Sequence, residues 1–120
     1  MQTVNVIGEL NGLGASLLSI MENNLNNPER WKKLKKIRGS LVATERDSGV
    51  SITLFFDKGN IQLQSGTINN PSASLKTDFD TVAAVSSGEL HPIIGVLKGK
   101  ISVRGNVIKL LKMVTIVRSD

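Results

Sequence analysis

The sequence predicts an α+β domain built on a five-stranded, mostly antiparallel sheet covered on one face by about five helices. Three observations lead there. Residues 39–77 hold four apolar/polar alternating runs punctuated by turn residues. Residues 10–25 repeat their apolar side chains with a helical period, and the final third reads helix, helix, strand, helix. At 120 residues without a repeat or a linker-like tract, the chain reads as one domain, 1–120. A chain of this length buries roughly two-thirds of its unfolded surface around one core.

The elements follow in order. Leu10, Leu13, Leu17, Leu18, Ile20, Met21 and Leu25 fall on one side of a first helix, opposite Asn11, Ser16, Ser19, Glu22 and Asn23. Asn27-Pro28 then supplies an N-cap and a proline at the first position of a short second helix, with Trp31 and Leu34 facing inward. "GSLVATER", the turn "DSG" and "VSITLFF" form a hairpin whose second strand places Val50, Ile52, Leu54 and Phe56 on one face. "DKGN" leads into "IQLQS", and after the loop "SGTINNPS" comes "ASLKT", completing a four-stranded antiparallel meander. Thr77 opens "TDFD", a capping-box pattern, and places Phe79, Val82, Ala83 and Ser86 on the inner stripe of a helix stopped by Gly88. "PIIGVLK" is another short helix. The fifth strand alternates Ile101 and Val103 with Lys100, Ser102 and Arg104. In the last helix, after Asn106 as N-cap, Val107, Leu110, Leu111, Met113, Val114 and Val117 cover a wide arc. Lys109 and Lys112 hold the remaining strip, with Ile116 close to it.

Composition excludes several kinds of chemistry. With no cysteine, thiolate metal sites, disulfides and cysteine nucleophiles are ruled out. His91 is the only histidine, so two-histidine metal sites are ruled out too, and a lone histidine before proline reads as the start of a helix. Asp78 and Asp80 belong to the first turn of a helix, where they complement its dipole. Gly12 and Gly14 invite a dinucleotide loop, but Leu17 stands where the third glycine is needed and no βαβ unit follows. The reading is therefore not an enzyme, and no cofactor is called for. The N-terminus lacks the pattern of a secretory signal, "VRSD" is no peroxisomal address, and no apolar run nears the roughly 20 residues that span a bilayer. A cytoplasmic protein is expected.

Net charge is +5, and six of the fifteen basic residues crowd into "ERWKKLKKIR". Lys32, Lys33, Lys35 and Lys36 there suit an anionic membrane surface better than nucleic acid, which usually asks for exposed stacking aromatics or an arginine-rich reading helix. The plainer alternative is a solvated helix exterior. Aromatics are only Trp31, Phe55, Phe56 and Phe79, so the interior is aliphatic.

Residues 79–113, "FDTVAAVSSGELHPIIGVLKGKISVRGNVIKLLKM", carry Phe79, Gly88, Pro92, Gly99-Lys100, Ile101, Val103 and Gly105-Asn106 in an ordered set. This set resembles the signature region of the sterol carrier protein 2 family of lipid-binding domains, and "GVSITLFFDKGNIQLQSG" resembles the family's hairpin. The resemblance implies an apolar tunnel between sheet and helices for a fatty acyl chain, acyl-CoA, phospholipid or sterol, carried without chemistry. It leads to an expected wall of Leu17, Met21, Ile52, Leu54, Phe56, Phe79, Val82, Ile93, Leu97, Ile101, Val103 and Leu111. Lys109, Lys112 or Arg104 would then meet a headgroup. Three alternatives remain: an oligomerisation or accessory module with a filled core, a homodimer for instance; a basic nucleic-acid-binding domain; and an enzyme, for which only His91 speaks.

Overall fold

The computed structural model describes residues 4–114. The strands are β1 (Val4–Ile7), β2 (Arg38–Glu45), β3 (Ser51–Asp57), β4 (Asn60–Ser65), β5 (Ala73–Thr77) and β6 (Ser102–Gly105). The helices are α1 (Gly12–Asn24), α2 (Pro28–Leu34), α3 (Phe79–Ser87), α4 (Pro92–Leu97) and α5 (Val107–Val114). Val117 and Ile116, assigned above to the last helix, lie outside the described residues.

The architecture is α+β, with one sheet of order β1-β4-β3-β2-β5-β6. Among the described residues it has six strands where the sequence predicts five, and it is mixed. β2, β3 and β4 form the expected antiparallel meander, and β6 joins β5 antiparallel. β5, however, pairs parallel with β2, and β1 pairs parallel with β4. Alternation reports which residues share a face but not which neighbour a strand takes or in which direction. "VNVI" is short and mostly exposed, so it carries little pattern of its own.

Parallel pairing requires the chain to cross the sheet between β4 and β5, and the connection crosses on the outer side. The Thr53 hydroxyl donates to the Gly66 carbonyl at 2.8 Å, while Ser40 and Ser72 exchange backbone-to-hydroxyl bonds at 3.1 Å each. This cover accounts for the burial of Thr53 and Val42 on the face that the alternation leaves pointing outward.

All five helices stand on the other face. Inward-pointing Leu41, Ala43, Ile52, Leu54, Phe56, Ile61, Leu63 and Ala73 form the sheet's half of a single core. Leu13, Leu17 and Met21 of α1, Val85 of α3, and Leu110 and Met113 of α5 form the other half. Each helix begins on a side-chain cap. Asn11, Asn27, Asp78 and His91 accept from the backbone N–H of Gly14, Glu29, Thr81 and Ile93, and Asn106 Oδ1 accepts from Lys109 N at 2.9 Å.

Candidate lipid cavity

Sheet and helices do not close completely. Between them lies a cavity of about 70 Å³ whose exposed wall is wholly apolar. Its floor is Leu41 and Ala43 of β2, Leu54 of β3, Leu75 of β5 and Ile101 just before β6. Leu13 and Leu17 of α1, Val82 and Val85 of α3, Pro92 and Val96 of α4, and Leu110, Met113 and Val114 of α5 complete it. No aromatic side chain lines it. Thr44, Glu45, Thr77 and Thr81 border it, with hydrogen bonds that turn their polar groups elsewhere. Thr77 Oγ1 donates to the Lys100 carbonyl at 2.8 Å. The Glu45 carboxylate accepts from the N–H of Asp47 (3.0 Å) and of Ser48 (2.8 Å).

Those bonds set the electrostatics at the rim. The Asp47 N–H above all, against the opposing effect of burial and with help from Ser48, holds the Glu45 carboxyl below its ordinary pKa. The backbone N–H of Thr81 does the same for Asp78. Both groups are ionised structural acceptors at neutral pH, unsuited to proton transfer. Nδ1 of His91 accepts from Ile93 N at 3.2 Å and caps α4. Among the described residues no group of three acidic or histidine side chains could hold a metal ion.

Of the residues expected on the wall, the structure brings Leu17, Leu54, Val82 and Ile101 together around the cavity. Met21, Ile52 and Phe56 are buried in the solid core rather than on the wall. Val103 packs against the core from β6, and Leu111 is half-buried on α5 beside lining residue Leu110. Three expectations are corrected: Phe79 is 46 % exposed, Ile93 45 % and Leu97 76 %, and none lines the cavity. For Phe79 the reason is the cap, which is Asp78 and not Thr77, since a one-residue shift turns a helix by about 100°. Thr81 and Val85 therefore face inward. For α4 the reason is closeness. Pro92 and Gly95 face inward, and a β-carbon on Gly95 would stand 2.7 Å from Ile101 Cδ1, so the small residues lie inside and the large ones outside.

Lys109 and Lys112 do not line the cavity; with Lys36 and Arg38 they line a second, basic cleft beside α5. Arg104 is not with them. It pairs opposite Ser74 and points to the outer face of the sheet. Lys32, Lys33, Lys35 and Lys36 are all exposed, and Lys32 contacts Glu29 at 3.5 Å.

The sequence reading passed over the inner residues of β2 (Leu41 and Ala43), together with Val85, Leu110 and Met113. The signal was present as alternation in "GSLVATER" and as i, i+3 spacing in α5. What it lacked was the knowledge that β2 is central, which depends on the parallel β5.

A family model described as the SCP-2 sterol transfer family matches residues 19–118. The chain belongs to that family. Lipid or sterol binding and transfer is what membership implies. The fold of the SCP-2 family is shared by solved structures of low identity. "UbiJ-SCP2 Ubiquinone synthesis protein" superposes with a TM-score of 0.72 at 11% identity, covering 88% of this chain and 92% of that one. Apo sterol carrier protein 2 from Yarrowia lipolytica gives 0.63 at 18%, covering 91% and 93%. The sec-alkylsulfatase Pisa1 from Pseudomonas sp. gives 0.67 at 16%, covering 75% of this chain but 14% of that much longer enzyme. A search of curated protein sequences finds no match. Among the described residues no helix is long and apolar enough to cross a membrane.

Proposed function

We propose that this SCP-2 family domain carries one apolar chain of the fatty acyl type between sheet and helices, without chemistry. The observation that carries the reading is the wholly apolar wall at the place where four helices and the sheet fail to meet. A void of about 70 Å³ is roughly half the ~150 Å³ that accepts a benzene ring, so it holds a short stretch of chain as it stands. The rest of the ligand needs the helices to part. A linear chain enters such a space one methylene at a time, each worth about 0.8 kcal/mol on burial, whereas a fused ring system must open it all at once. This favours an acyl chain over a sterol. The short helix α4, with Ile93, Ile94 and Leu97 outside and only Pro92, Gly95 and Val96 turned inward, is the wall best suited to move. Loading takes place in the cytoplasm at an anionic bilayer, which the exposed Lys32, Lys33, Lys35 and Lys36 favour over nucleic acid.

Native mass spectrometry of freshly purified protein tests the reading. The expected result is a one-to-one adduct of discrete lipid mass, lost on delipidation and regained with one equivalent of palmitate. A mass that stays bare with palmitate present means a filled core, and the family fold then serves assembly, for example as a homodimer.

A further inference from the structure

A second concavity, of about 360 Å³, is bordered by α5 as the apolar cavity is, but shares none of its lining residues. Lys36 from the turn after α2, Arg38 at the start of β2, and Lys109 and Lys112 of α5 all line it, with Asn106 and Ile108. Two basic clusters about seventy residues apart in sequence thus meet in one place. Asp57 lies 3.9 Å from Arg38 in a largely exposed pair. Gly39, at φ +148°, stands between β5 and α5: an added β-carbon would lie 2.6 Å from Ser72 Oγ, 3.1 Å from Met113 Cε and 3.2 Å from Lys109 Cδ. The stem of Lys109 therefore passes close to Gly39, the neighbour of Arg38. Lys109 also occupies the first turn of α5, which holds no acidic residue, although the helix dipole disfavours a cation there. Ile108, 71 % exposed, stands on the lip, with Val107 exposed beside it.

We propose that this cleft binds the phosphate group of an anionic phospholipid at a bilayer surface. Clustered cations supply the phosphate contacts, and the exposed Ile108 and Val107 beside them suit the apolar layer just below the headgroups of a membrane. α5 is the wall common to both concavities. Leu110 and Met113 face the cavity, while Lys109 and Lys112 face the cleft, so docking takes hold of one wall of the cavity. The proposal rests on the reading that loading takes place at an anionic bilayer and gives that bilayer a defined cleft, while the vesicle test does not depend on palmitate being carried.

Co-sedimentation with vesicles of phosphatidylcholine, alone or with a minority of phosphatidylglycerol, is the test. Binding is expected to the mixed vesicles only. Lys36→Glu and Lys109→Glu each weaken it about thirtyfold at low salt, from one attraction lost and one repulsion gained near the surface. Lys76→Glu carries the same charge change but points to the outer face of the sheet, and it changes binding by less than about threefold. Ile108→Ser reduces binding while leaving all four cations in place. Lys109→Glu puts an acid where the dipole favours it, so thermal unfolding is expected to show an intact fold. Equal losses in Lys76→Glu and Lys109→Glu overturn the site in favour of diffuse attraction. Resonance shifts confined to the cleft with soluble glycerophosphoglycerol or inorganic phosphate, but no vesicle binding, overturn the bilayer source. Palmitate adducts measured on Lys109→Glu keep the two readings apart, since their presence or absence does not alter the vesicle result.

Discussion

Gly105 is where the fifth strand of the sequence reading turns into the last helix, and its environment explains why no other residue fits. It stands at φ +87°, and a β-carbon there would lie 2.6 Å from the Ser72 carbonyl oxygen and 3.0 Å from Ala73 Cα, both backbone atoms that cannot swing away. The next residue, Asn106, donates its N–H to that same carbonyl at 3.0 Å. Gly105→Ala is therefore expected to cost about 2–3 kcal/mol, seen as a lower urea midpoint with an unchanged slope. A loss below about 0.5 kcal/mol would mean that the approach to Ser72 relaxes without strain. The pair "GN" was legible as the start of a helix. Ser72 as the reason was not, because β5 meets β6 only once the chain has crossed the sheet.

Caps decide what each helix shows to the cavity. Asp78 Oδ1 accepts from Thr81 N at 2.7 Å and so fixes the rotation of α3. Because the Thr81 N–H holds the Asp78 carboxyl below its ordinary pKa, the stabilisation is complete above the unfolded value, near pH 4, and is lost as pH falls through the lowered one. Asp78→Ala is expected to cost about 1 kcal/mol at neutral pH. Asp78→Asn keeps an acceptor and should flatten part of the fall in thermal midpoint below about pH 4, and equal acid sensitivity in the two proteins would contradict this. Strands β2 to β6 and all five helices were legible from period and cap signals. The phase of α3 was lost to one residue, since Thr77 and Asp78 are both good caps and only the end of β5 at Thr77 decides between them. In α4 the pattern misleads in another way. Apolar bulk usually points inward, but here the near contact of Gly95 with Ile101 leaves that side to small residues. Parallel pairing of β1 and β5 leaves no local trace at all.

At the scale of the molecule, one aliphatic core, short of large aromatic side chains, meets a sheet whose centre is the β2–β3 pair. The unfilled volume gathers over β2 and β5, to one side of that centre, and α5 borders both it and a basic surface cleft. Four of the twelve side chains expected at the cavity are on its wall, because face could be read from the sequence but distance from the sheet centre could not. The measurement that tests the account most directly is a methyl NMR titration with palmitate. Saturable shifts are expected at Leu13, Leu17, Leu54, Val85, Leu110 and Met113, which approach the cavity from the sheet and from three helices at once. Shifts confined to Ile93, Ile94 and Leu97, with those six methyl groups unmoved, would place the lipid on the outside of α4 and contradict the account.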